Sequence, residues 1–223
     1  MEFVRKLTAL FYPERCPYCS ALIEATQIAC EKCYETIRRK HIPIKGGARG
    51  FRCISTFAYG GRVRRMILRL KYHDRTQYIP QIAELLRMDI QSTYIGEKFD
   101  FITAVPMYHK DLKIRGYNQS ALLAKELGKR LDLPYLDTIE KIKKTKKQHH
   151  LNYHERKSNL NGAFKAIDKD AIKGKRVLII DDIITSGYTL GNCCKVLSRA
   201  KPELICCATI ANAQHKYPES TVI

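Results

Sequence analysis

No stretch of this 223-residue chain is apolar for long enough to span a bilayer, so membrane insertion is not expected. Carboxylates are scarce too: 22 Asp and Glu stand against 40 Lys and Arg, a net charge of +18 at neutral pH. An excess of that size points to a polyanionic partner, either nucleic acid or phosphorylated ligands, with a merely basic surface as the plain alternative. There is no internal repeat, and low complexity is confined to the lysine cluster at 141–147. The opening MEFVRKLTALFYP holds too short an apolar block for a signal peptide. Phe3, Leu7, Leu10 and Phe11 instead recur at helical spacing up to Pro13, which predicts an amphipathic helix packed on the body of a cytoplasmic protein. Nine cysteines, an odd number in a reducing compartment, argue against a disulfide framework.

Apolar residues make up 45% of the chain, enough for a core, and the length suits one large domain or a medium domain with a small module. Cys16, Cys19, Cys30 and Cys33 form two Cys-x2-Cys knuckles ten residues apart. Two such knuckles can close four thiolates tetrahedrally on one zinc ion. Four thiolates leave no open position, so the expected role is structural, and the metal would supply folding energy where too few apolar residues lie between the pairs. Two redox dithiols are the other reading of the same spacing. Cys53, Cys193, Cys194, Cys206 and Cys207 read as small core residues. IKGGARG, from Ile44 to Gly50, reads as a boundary between a module at 1–45 and a larger domain at 46–223.

In the larger domain, FRCISTFAYGG reads as a strand pair or a strand and turn. Val63, Met66, Ile67 and Leu70 then repeat at helical spacing, with Arg62, Arg65 and Arg69 on another face and Lys71 at the end. FDFITAVP is a strand ended by Pro106, MYHKDLKIRGYNQ a loop, and SALLAKELGKRL a helix. After a long polar segment from Lys143, VLII is a strand, LGNCCKVLSRA a helix and ELICCATIA a strand. This alternation predicts a doubly wound, mainly parallel α/β sheet.

The stretch VLIIDDIITSGYTL carries the clearest chemistry. Ligands of such sheets bind at the carboxyl ends of strands, where Asp181 and Asp182 fall. The loop of Thr185, Ser186, Gly187, Tyr188 and Thr189 leads into a helix, whose N-terminus offers unpaired N–H groups and positive potential. The hydroxyls add donors and Gly187 permits close backbone approach, which makes a cup for a phosphate monoester. Two carboxylates repel phosphate, so they are read as acceptors for the vicinal hydroxyls of a sugar and for the waters of a magnesium ion. Phosphate beside hydroxyls describes a ribose 5-phosphate.

Four apolar residues, two acids, two apolar residues and T-S-G-Y-T resemble the phosphoribosyl pyrophosphate (PRPP) fingerprint of type I phosphoribosyltransferases. A narrower resemblance, to the ComF family of competence-linked phosphoribosyltransferase-like proteins, covers nearly the whole chain. It rests on the cysteine knuckles, YGGRVRRMILRLKY at 59–72, AVPMYHKDLKIRGYNQS at 104–120, TKKQHHLNYHERKSNLNGAF at 145–164 and the fingerprint. Within these, RGYNQ and the T-x2-Q-x2-L-x4-R-x2-N spacing from Thr145 to Asn159 are characteristic. Many members carry more cysteines in the zinc module; four here imply one metal.

The resemblance implies a type I phosphoribosyltransferase fold behind a zinc-ribbon-like module, with Asp181 and Asp182 facing the ribose. It implies pyrophosphate held by Arg115 and Gly116, with Lys71 a second candidate, and a hood at 141–164 closing through Lys143, Gln148 and Arg156. An arginine fork suits pyrophosphate. Displacement at ribose carbon 1 on Mg-PRPP would rest on positioning and electrostatics. The family's link to natural transformation implies single-stranded DNA and a competence helicase-like protein as partners. Arg62, Arg65, Arg69, Lys144, Lys146 and Lys147 could track a phosphate backbone, and Tyr59, Tyr72 and Tyr153 could stack bases. An active transferase on an unidentified acceptor, or a non-catalytic scaffold, are the rival expectations.

Overall fold

The computed structural model describes residues 14–24, 27–40, 43–145 and 162–215. The N-terminal helix expected from Phe3 to Phe11, Tyr153, and Lys146, Lys147, Gln148 and Arg156 of the basic and hood segments lie outside them.

The cysteine segment leads into helix α1 (Glu31–Lys40), and strand β1 (Ile44–Ala48) pairs antiparallel with β2 (Phe51–Ala58). IKGGARG, read as a boundary, is thus an edge strand and its turn. Its glycines weaken strand propensity, but Arg49 and Gly50 both take positive φ, at 58° and 97°, as a tight hairpin requires. Helices α2 (Gly61–Tyr72) and α3 (Ile79–Thr93) follow, then β3 (Phe101–Ala104). The segment read as a loop holds a short helix, α4 (His109–Arg115), which buries no residue and ends at Gly116 in the left-handed region. Helix α5 (Gln119–Leu131) is capped by Asn118, whose side chain accepts from the N–H groups of Ser120 and Ala121. Strands β4 (Ile139–Lys141) and β5 (Phe164–Ala166) form a separate antiparallel ribbon that brackets the hood segment. Strand β6 (Arg176–Ile184), helix α6 (Tyr188–Ser198) and β7 (Leu204–Asn212) complete the fold.

The main sheet has the order β1-β2-β7-β6-β3, parallel except for β1. Alternation along β6 splits the core. Leu178 and Ile180 join the cluster under α2, α3 and α5, whereas Val177 and Ile179 join the one under α6 and the ribbon. The result is a three-layer, doubly wound α/β domain. Helix α2 shows why the pattern reads well: Val63, Met66, Ile67 and Leu70 are all buried, as their spacing requires.

The cysteine segment is not a bead apart from this body. Cys16, Tyr18, Ala29 and Cys33 belong to the same buried cluster as α2 and the sheet. The Tyr18 ring meets Phe57 of β2 edge-on at 6.0 Å, and Gln81 of α3 donates to Glu14 at 3.1 Å. No helix among the described residues is long and apolar enough to cross a membrane.

Candidate functional site: an acidic pair and a phosphate cup

Strand β6 continues past the acidic pair because Ile183 and Ile184 still pair with Ala211 and Asn212 of β7. Asp181 and Asp182 therefore sit in the last turns of pleat and point to opposite sides. Asp182 is 5% exposed and faces α2 and α5. Its Oδ2 takes an ion pair from Lys71 Nζ at 2.9 Å and a hydrogen bond from Gln119 Nε2. Asp181 is half-buried, and its Oδ1 accepts from Ser120 Oγ at 3.0 Å and from the Asp182 N–H at 2.9 Å. Among the described residues, these bonds occupy one oxygen of each carboxylate.

The charges here are coupled. Burial, and then the charge of Asp182, push the Asp181 carboxyl up to about 7, against the pull of Lys71. Burial alone would lower the Lys71 amine, but the charge of Asp182 and the hydrogen bond to it prevail, so it is raised. Lys71 is a firm cation at neutral pH, while Asp181 titrates in the physiological range.

Beyond β6, Gly187 takes φ +71° at the start of α6. A side chain there would be strained, and a Cβ would lie 3.6 Å from the Ala48 Cα. Gln214 donates to the Thr185 carbonyl and Ala213 N–H to that of Ile184, pinning the loop. Ser186 Oγ is buried with no hydrogen-bond partner among the described residues. Thr185 and Thr189 are half-buried. Tyr188, read as part of the cup, is 5% exposed and packs with Ala48, Ile184 and Leu190. The Arg49 guanidinium lies 3.5 Å from its ring centroid. The ring is thus a foundation of the cup.

Lys71 stands at the acidic pair, whereas Arg115 ends α4, donates to Gln119 Oε1 at 2.8 Å and lies 5.4 Å over the Tyr72 ring. Gly116 follows it with φ +81°. Lys143 and Lys144 are exposed just beyond β4. The arginine stripe divides: Arg65 is exposed, Arg69 has a buried Nη1 with no partner among the described residues, and Arg62 donates to Cys33 Sγ at 3.4 Å. Tyr72 is 60% exposed, while Tyr59 packs against the core.

Three site residues escaped the sequence. Gln119 and Ser120 follow the Asn118 cap, and the N-cap signal was the available clue. Lys141, at the end of β4, is half-buried, and its amine is lowered by burial, with Asp111, Cys193 and Asp181 pulling the other way. Its electrostatic neighbours place it on the Asp181 side, as Lys71 is on the Asp182 side. It was hidden inside a lysine run.

At the other end of α2, the four sulfurs of Cys16, Cys19, Cys30 and Cys33 lie within 4.8 Å of one another. Burial raises the Cys16 and Cys33 thiols. Burial also opposes ionisation of Cys19, but the Ala21 N–H and neighbouring thiols lower it to about 7. Four thiols this close cannot all ionise without a cation at their centre, and the spacing and soft donor set fit zinc.

A doubly wound sheet with a paired acid at a strand end and a hydroxyl-rich cup opening a helix defines a type I phosphoribosyltransferase-like domain. In agreement, residues 115–222 match the family model for the phosphoribosyl transferase domain. Competence protein F of Haemophilus influenzae is 35% identical over 63% of this chain and 63% of its own length, so the match spans a little under two thirds of that relative. The DNA utilization protein YhgH of Salmonella typhimurium is 28% identical over 82% of this chain and 78% of its own. Among solved structures, a crystal structure of adenine phosphoribosyltransferase aligns with 61% of this chain and 70% of its own at 15% identity, with a TM-score of 0.43. The chain is thus similar to the phosphoribosyl transferase domain over residues 115–222 and, over more of its length, to the competence and DNA utilization proteins.

Proposed function

We propose that this chain binds PRPP or a related ribose 5-phosphate with magnesium, and acts in the uptake and processing of single-stranded DNA. The observation that carries the ligand reading is the acidic pair with, among the described residues, one unbonded oxygen on each carboxylate, beside a cup whose buried Ser186 hydroxyl has no partner among them. Thr185, Ser186, Gly187 and Thr189, with the first N–H groups of α6, would hold the 5-phosphate. Asp181 and Asp182 would accept the ribose hydroxyls and the waters of magnesium. Magnesium would offset the charge of the pyrophosphate. Lys71, Arg115 and Gly116 would meet the pyrophosphate, and Lys143, Gln148 and Arg156 would close over it. One zinc ion on the four cysteines would complete the protein.

The role in DNA handling rests on the names of the relatives, Competence protein F and DNA utilization protein YhgH, and on the +18 charge. Exposed Arg65 and Lys144, with Lys146 and Lys147, are the candidate backbone contacts, and a competence helicase-like protein is the candidate partner.

Calorimetric titration with PRPP and magnesium tests the ligand reading. Binding to the wild type is expected, with loss in Asp181→Asn/Asp182→Asn. A folded wild type that binds no PRPP would sink the reading and shift the weight to DNA. Release of pyrophosphate on adding an acceptor would show turnover.

A further inference from the structure

We propose that Arg62 is a positioning residue of the four-cysteine metal centre, and that helix α2 carries the state of that centre to Lys71 at the acidic pair. The two ends of the helix make the case. Near its start, Arg62 Nη1 donates to Cys33 Sγ at 3.4 Å. Near its end, Lys71 Nζ lies 2.9 Å from Asp182 Oδ2. Nine residues separate them, about 14 Å along the axis. At about 100° per residue, nine steps place the two side chains on opposite flanks of the helix. One therefore leaves toward the cysteines and the other toward the ligand site.

A zinc ion held by four thiolates carries two net negative charges. A guanidinium hydrogen-bonded to one sulfur offsets part of that charge and fixes that ligand's orientation, which is how outer contacts tune a metal site. Cys33 is 1% exposed, so water replaces that donor poorly. Between Arg62 and Lys71, the buried Val63, Met66, Ile67 and Leu70 lock α2 into the core that Cys16 and Cys33 also share. Tyr117 donates to the Leu70 carbonyl, one residue before Lys71. A packed helix of this kind shifts as a unit. Loss of the metal would strip Arg62 of its anionic acceptor, loosen the start of α2 and release Lys71 from its ion pair.

Two readouts on the full-length protein test this, and neither uses a ribose phosphate, so failure of the ligand reading would leave them intact. The first is zinc affinity by competition with a chromophoric chelator, backed by the thiolate-to-metal absorption of the cobalt(II) form. Arg62→Ala is expected to weaken zinc by about 10- to 100-fold and shift the cobalt band. Arg62→Lys should recover part of the loss, and Arg64→Ala, exposed on the same helix, should change nothing. The second is the acetylation rate of Lys71, followed by mass spectrometry. It should rise several-fold in Arg62→Ala and in zinc-stripped wild type, with Lys141 unchanged. If Arg62→Ala does not fold, Arg62→Lys alone decides, by intermediate losses in both readouts. Wild-type zinc affinity in the Arg62 variants, or unaltered protection of Lys71 after zinc removal, would overturn the proposal.

Discussion

Replacing Lys71 by methionine isolates the ion pair at the centre of the site. The side chains of Lys71 and Asp182 are 20% and 7% exposed, and the contact is 2.9 Å. Removing one partner of a buried pair typically costs 3–5 kcal/mol, because the other charge stays buried. Gln119 still donates to Asp182, and the acidic pair can take up a proton, so a loss near the lower end, about 3 kcal/mol, is expected. For a chain of this size that corresponds to a fall in Tm of roughly 6–12 °C. The loss must also depend on pH in a definite sense. A carboxyl whose pKa is raised on folding binds more protons folded than unfolded, so its contribution to stability falls as pH rises from the unfolded value to the folded one. Asp181 already behaves this way, up to about 7. Without Lys71 the pair holds its proton more firmly. The gap between variant and wild type should then widen from pH 6.5 to 8.5, where the wild-type pair gives up its proton and the variant keeps it, by up to about 1.4 kcal/mol per pH unit. Thermal melts by circular dichroism across that range measure it. The double variant Lys71→Met/Asp182→Asn, neutral at that position, should regain most of the stability. Equal melting temperatures at pH 7.5, or a gap that ignores pH, would refute the reasoning.

The affinity of magnesium and PRPP should climb as pH rises toward about 7, where Asp181 ionises, and level off above it; calorimetry at fixed magnesium reads this, and a flat profile would remove Asp181 from the metal side of the site. Gly187→Ala puts a Cβ at φ +71°, which should cost about 1–2 kcal/mol in denaturant titration and weaken phosphate binding. Stripping zinc with a strong chelator should expose the four clustered cysteines to a thiol reagent, while Cys53, Cys193, Cys194, Cys206 and Cys207 stay protected by burial.

Much of this was legible in the chain because it is local. The α2 stripe, the strand-helix alternation, the double Cys-x2-Cys and the acidic pair with its cup are read from neighbours in sequence. What was missed depends on distant partners. Strand β1 read as a boundary because Gly46 and Gly47 are poor strand formers, and only pairing with β2 makes it a strand. Arg62 looked like part of a basic face because its acceptor lies 29 residues earlier. Tyr188 read as part of the cup's rim because nothing nearby in sequence shows the Arg49 guanidinium against its ring. Helix α4 buries nothing, so no apolar period announced it.

The strand order also governs when the molecule can exist during its own synthesis. Strand β7 is the last to be made among the described strands, yet it lies mid-sheet, pairing β2 on one side and β6 on the other. Until it leaves the ribosome, the cysteine segment with β1 and β2 has no sheet connection to the half that bears the acidic pair. A nascent chain halted near residue 200 would hold two pieces of sheet linked through the helices alone, each baring the edge that β7 should pair. Joining Arg52 to Cys206 closes a span of more than 150 residues, the kind of late, non-local step that makes folding slow. The nine residues of β7 thus decide whether the two pieces become one sheet.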